Sequence, residues 1–169
     1  MSDDAGFNKD RSTNSHPVPR VGYKKPGERL DFADPEILGD RAWDWAIYIA
    51  DPKLNHKNQK WESHNLTSNQ VRRYYSEFKN IQRSMLLKTA DKLTDENWIR
   101  IYSKIKLLNA KAVYDSKRQS GTLPITFREF IEMCVRAISS VKNEGYIDFN
   151  NICLFFEAVV GYSSEYTKK

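Results

Sequence analysis

Residues 67–85 read Thr67-Ser68-Asn69-Gln70-Val71-Arg72-Arg73-Tyr74-Tyr75-Ser76-Glu77-Phe78-Lys79-Asn80-Ile81-Gln82-Arg83-Ser84-Met85, and this stretch decides the fold class. Thr67 and Gln70 are spaced as a capping box, in which the hydroxyl takes an amide of the first turn and the glutamine reaches back. Behind them Val71, Tyr74, Phe78, Ile81 and Met85 recur at spacings of three and four. That period puts them on one face of an amphipathic helix reaching about Lys88.

The same pattern continues downstream. Thr94-Asp95 opens a helix whose stripe is Trp98, Ile101, Ile105, Leu108 and Ala112; it runs to about Gln119, with Asn109 a candidate joint, and Gly121 and Pro124 end it. Thr126-Phe127-Arg128-Glu129 reads as a second capping box, followed by Phe127, Phe130, Ile131, Cys134, Val135 and Ile138 on one broad face. Asn143-Glu144-Gly145 reads as a stop, and Asp148 as the cap of a last helix. Its run Ile-Cys-Leu-Phe-Phe-Glu-Ala-Val-Val (152–160) is apolar nearly all round and is expected at the centre of a bundle.

Upstream, Asp34-Pro35 makes a helix start, and Ile37, Trp43, Ala46, Ile47 and Ala50 share one side. Trp45 falls about 200° round from Trp43 and needs another surface. That helix is expected to pack between subunits, the alternative being that it folds back across the bundle. No stretch shows sustained two-residue alternation bounded by hairpin turns, and no internal repeat is present. The fold is expected to be all-α, a compact bundle of about five helices with an N-terminal extension. Its expected parts are a disordered tail over 1–30, an extension helix and linker over 31–65, and the helical bundle domain over 66–169.

The chain has 169 residues, 40% hydrophobic and 12% aromatic, enough to build a core. No apolar run is long enough for a transmembrane helix, and the N-terminus lacks the apolar centre of a signal peptide, so a cytoplasmic location without membrane contact is expected. Cys134 and Cys153 belong to no CxxC pair and read as buried, reduced thiols. The histidines, His16, His56 and His64, all precede the expected bundle, and no metalloprotease, EF-hand, P-loop or dinucleotide motif occurs. No catalytic residue, metal site or cofactor is expected. Arg11 and His16 carry the Arg-x4-His spacing of helical HEPN-type ribonucleases, but they lie in a polar tail ending in His16-Pro17-Val18-Pro19, which does not hold helical geometry. Glu77, Asp115 and Glu129 read as solvated carboxylates on helix surfaces.

Charge is the remaining signal. Residues 66–122 hold 12 Lys/Arg against 5 Asp/Glu, whereas residues 1–65 hold 10 against 11 and residues 123–169 hold 5 against 6. The whole surplus of +5 is therefore a local feature, either the footprint of a polyanion or a solvated face. Lys79 and Arg83 each fall within about 20° of Arg72 on the first helix. Lys104, Lys111 and Arg118 are seven apart on the next and form a line of roughly 20 Å if that helix is continuous. Arg73 and Lys117 lie beside these rows. Such cations suit phosphate contacts that position a strand without reading it. Tyr75 and Tyr114 either stack on bases or pack against protein.

Three segments, in order, resemble the small subunit of type III-A CRISPR effector complexes (the Csm family). They are residues 66–73 (LTSNQVRR), 108–118 (LNAKAVYDSKR) and 155–162 (FFEAVVGY), and the resemblance spans residues 66–169. It departs from the family where Asn109 replaces a common Pro, in the charged run Asp115-Ser116-Lys117, and in the longer first 65 residues. The resemblance implies a non-catalytic, all-helical subunit that polymerises along a multisubunit ribonucleoprotein in antiviral defence. It would follow guide RNA and target RNA, beside backbone subunits, a large subunit and copies of itself. RNA-contacting roles carry over to Arg72, Arg73, Lys111 and Arg118, and the helix geometry adds Lys79, Arg83, Lys104 and Lys117. A helical adaptor that binds only protein is the alternative from another class.

Overall fold

The computed structural model describes residues 24–57, 60–63, 65–86 and 93–167. Within them lie α1 (Asp40–Ala50), β1 (Pro52–Asn55), β2 (Lys60–Ser63), α2 (Ser68–Leu86), α3 (Asp95–Ser116), α4 (Ile125–Arg136) and α5 (Lys142–Ser163). The protein is mostly helical, as its periodicity predicts. The helices close into a ring in which α1 meets α5 and α4, α2 meets α5 and α3, and α3 meets α4. Phenylalanines fill the middle. The Phe156 ring lies 5.1 Å from Phe78, 5.0 Å from Phe130 and 6.3 Å from Phe127, tying α5 to α2 and α4.

Two helix starts follow local chemistry as read. The Thr67 hydroxyl accepts the Gln70 amide at 3.2 Å, and the Thr67 amide donates to Gln70 Oε1 at 3.0 Å. Thr94 caps α3 by accepting the Asn97 amide. The stripes of α2 and α3 are buried throughout, and α3 is unbroken at Asn109.

Other local signals give way to tertiary contacts. The expected capping box at Thr126 does not form: the Thr126 hydroxyl donates to the Ile49 carbonyl, and Glu129 takes the Tyr48 hydroxyl. Pro124 stands at the cap position instead. Gly145 does not stop a helix but sits inside α5, which starts at Lys142. A Cβ there would overlap the Ser139 carbonyl oxygen and the Trp98 ring, so glycine marks a close approach rather than an end. Trp98 Nε1 donates to the Ser140 carbonyl at 2.7 Å in the same joint. Asp148 caps no helix; its carboxylate accepts the Ser139 amide at 2.9 Å and fixes the α4–α5 connection.

The expected linker over 51–65 holds an antiparallel ribbon, pairing Lys53 with Glu62 and Leu54 with Trp61. Asp51 turns the chain out of α1 at a left-handed φ of 39°, and Pro52, lacking an amide proton, does not extend the helix. The Ser63 amide then donates to the Tyr166 carbonyl, which holds the ribbon to the end of the chain. Instead of presenting a face to a neighbouring subunit, as expected, the α1 helix folds back across the bundle. Trp45 is fully buried in the main core, 5.6 Å from the Phe130 ring, while Trp43 joins Ile47, Ala50 and Tyr166 in a second cluster. Both faces of α1 are thus covered within one chain. Residues 24–32, expected as tail and its edge, lie on the bundle through Lys25–Glu129, Arg136–Glu28 and the Phe32–Phe155 ring contact.

Gly145→Ala is expected to destabilise the fold by about 2 kcal/mol, as overpacking of a closed joint does. It should appear as a lower urea midpoint at an unchanged m-value. Gly161→Ala, where an added Cβ meets nothing, should instead leave stability equal or about 0.5 kcal/mol higher.

Candidate nucleic-acid interface

The α2 and α3 helices run antiparallel. Arg73 meets Asp115 and Glu77 meets Lys111, so one turn forward on α2 is one turn back on α3. Asp115 fixes that register. Its carboxylate is buried at 5% exposure, accepts the Tyr74 hydroxyl at 2.8 Å and the Arg73 guanidinium at 2.5 Å, and has Arg118 at 3.8 Å. Its backbone carbonyl accepts the Leu123 amide, which ties in the loop to α4. Asp115 is therefore no solvated surface carboxylate. The signal was present in the spacing: Trp98, Ile101, Ile105, Leu108, Ala112 and 115 continue one stripe, and a carboxylate in a buried register needs partners.

The eight candidate cations do not form two matching rows in one groove. Lys79 turns toward α5, 3.7 Å from Glu157 and over the Tyr75 ring. Arg83 donates to Asn80 on its own helix. Arg73 and Arg118 hold Asp115, and Lys111 holds Glu77. Helix α3 ends at Ser116, so Lys117 and Arg118 lie beyond it and the line Lys104–Lys111–Arg118 is not one helical row. Arg72, Lys104 and Lys117 are exposed, and each makes no ion pair among the described residues. Arg11 and His16 lie outside the described residues.

Between α2 and α3 runs a groove of about 580 Å³, lined on one wall by Glu77 and Asn80 and on the other by Lys104, Leu107, Lys111 and Tyr114. On that α3 wall cationic and apolar side chains alternate at helical spacing. Leu107 is 64% exposed and Tyr114 70%, so Leu107 faces solvent between the lysines and Tyr114 just beyond Lys111. Tyr75 is not available in this way, since its ring packs edge-on against Phe156 at 5.7 Å. Leu107 is a residue that the sequence reading missed, because an apolar side chain off the main stripe gives no charge signal. Among the described residues no three His, Cys, Asp or Glu side chains gather to hold a metal ion, and no helix is long and apolar enough to cross a membrane.

A family model described as Csm2 Type III-A matches residues 53–169. The match is wider than the resemblance over 66–169, since it takes in most of the β-ribbon as well as α2 to α5, and it leaves α1 outside. No curated protein and no solved structure matches the chain.

Burial, then the bond to Asp115, pushes the Tyr74 hydroxyl well above its ordinary value of 10.0, and burial with acidic partners pushes Tyr48 and Tyr75 to about 12. A raised folded value means that this stabilisation is complete below the unfolded value and lost as pH climbs toward the folded one. Urea midpoints should therefore hold steady up to about pH 10 and fall steeply above it. Tyr74→Phe should cost about 1 kcal/mol at neutral pH and flatten part of that alkaline fall.

Proposed function

The chain belongs to the Csm2 family of type III-A CRISPR effector subunits, and we propose that it serves there as a non-catalytic, RNA-binding structural subunit. In this reading its α2–α3 face follows the guide RNA and target RNA, in company with backbone subunits, the large subunit and further copies of itself. The observation that carries it is the α3 wall of the groove, where Lys104, Leu107, Lys111 and Tyr114 alternate cation with apolar or aromatic surface. Ammonium groups at that spacing meet phosphates, and the exposed tyrosine beside Lys111 offers a stacking plane for a base or ribose. Arg72 adds a cation unengaged by any ion pair among the described residues, while Arg73, Lys111 and Arg118 reach solvent from positions held by Asp115 and Glu77.

The tethered cations make poor probes of binding. Removing Arg73 and Arg118 strands a buried carboxylate, so their loss perturbs the fold as well as the surface. Arg72 and Lys104 are the clean positions. In the assembled complex, Arg72→Ala with Lys104→Ala should weaken RNA binding almost uniformly across sequences and reduce the salt slope, by roughly one per lost phosphate contact. Tyr114→Ala should cost about 1–3 kcal/mol of binding and leave the salt slope unchanged. Neighbouring copies mask single losses through avidity, so the double variant should exceed either single one. The purified protein should leave RNA intact in the presence of divalent metal. An assembled complex in which this chain never crosslinks to RNA would make it the protein-only adaptor instead.

A further inference from the structure

A second cavity lies at the other end of α2, where α3 ends and α4 begins. It measures about 680 Å³ and is built from the first turn of α2, the turn after α3 and the first turn of α4. Its charged lining consists of Lys117 and Arg128, and no acidic residue lines it. Nearby on the α2–α3 face, Arg73 has Asp115 and Lys111 has Glu77, whereas Arg72 and Lys104 are unpaired among the described residues but line no such cavity with a second unpaired cation. Neither Lys117 nor Arg128 makes an ion pair among the described residues. Arg128 is more demanding of one, because its Nε is buried with no acceptor among those residues. Arg128 is half-buried, and that Nε is a donor that an anionic ligand can take.

The rest of the lining matches the same chemistry. Pro124 leaves the start of α4 without a side-chain cap, so the amides of its first turn add donors. The Ser116 and Thr122 hydroxyls already donate to the Val113 and Arg118 carbonyls, so the donors are those of Arg128, Lys117 and the start of α4; Pro124 and Ile125 form an apolar wall, with Ile125 53% exposed. A bare phosphate would fill a small part of this volume, which falls within the range of about 300–1,000 Å³ typical of small-ligand sites. We propose that this cavity binds a nucleotide, its phosphate held by Arg128 and Lys117 and its base against the Pro124–Ile125 wall. The site is separate from the α2–α3 groove and does not rest on that groove's reading. The nucleotide is either free or one unit of an RNA strand, since both present the same phosphate.

The test is calorimetric titration of the full chain with AMP, and with an oligoribonucleotide that lacks terminal phosphates. AMP should bind saturably, and Lys117→Gln and Arg128→Gln should each weaken it by about tenfold or more. Lys104→Gln, in the groove, should leave AMP affinity unchanged. Competition separates the two sources: displacement of AMP by the oligonucleotide assigns the cavity to a strand, and simultaneous binding assigns it to a free nucleotide. Lys117 is exposed at the end of α3, so Lys117→Gln decides the matter if Arg128→Gln lowers the melting temperature. Failure of both ligands to bind overturns the proposal, as does equal affinity in Lys117→Gln or an AMP loss that follows Lys104 instead.

Discussion

The buried Asp115 carboxylate is the constraint from which the working face of this protein follows. It collects the Tyr74 hydroxyl and the Arg73 guanidinium from α2, Arg118 from beyond α3, and through its carbonyl the amide of Leu123. Three segments are thereby held at one point, and the antiparallel register of α2 and α3 is set. A buried charge pair gives little net stability, because desolvation offsets the attraction; losing one partner, however, leaves a charge stranded. The arrangement therefore acts on geometry more than on total stability. It decides which residues of α3 face the groove and where the chain turns into α4.

The core imposes a second condition. Phe156 touches rings from α2 and α4, so α5 must turn that face into the middle of the ring of helices. Bringing α5 that close at its first turns leaves no room for a Cβ at Gly145 against Ser139 and Trp98. The aromatic centre, the bare glycine and the Trp98 bond to Ser140 are parts of one packing solution. The β-ribbon and α1 complete it, since Tyr166 at the end of the chain is covered by Trp43 and bonded to Ser63.

Most of the helical fold was legible because its signals are local. The stripes of α2 and α3 and the caps at Thr67 and Thr94 need only a few neighbouring residues to operate. The failures arise where a distant partner outbids a near one. Thr126 prefers the Ile49 carbonyl to its own helix, Asp148 is drawn to Ser139, and Gly145 answers to a tryptophan on another helix. The ribbon was not legible because its four-residue strands are too short for alternation to register, and its tie to residues near the chain end is a single bond to Tyr166. The candidate site was legible in its residue types but not in their commitments. Charge counting treats Arg72 and Arg73 alike, although only Arg73 is tethered to a buried carboxylate.

That distinction changes what the surplus of positive charge means. A cation paired with a carboxylate contributes little to the field felt at a distance, and what remains is carried by side chains such as Arg72, Lys104 and Lys117. Tethering has the opposite effect at contact, because a guanidinium already held in one geometry loses less side-chain entropy when a ligand reaches its free donors. The same surface thus divides its cations into mobile ones suited to attracting a polyanion and fixed ones suited to positioning it. Helix α3 joins the two, with Lys104 free at one end of the groove and Lys111 held to Glu77 further along. Leu107 stands exposed between them and Tyr114 just beyond Lys111, where apolar contact is made only after charge has brought the partner in.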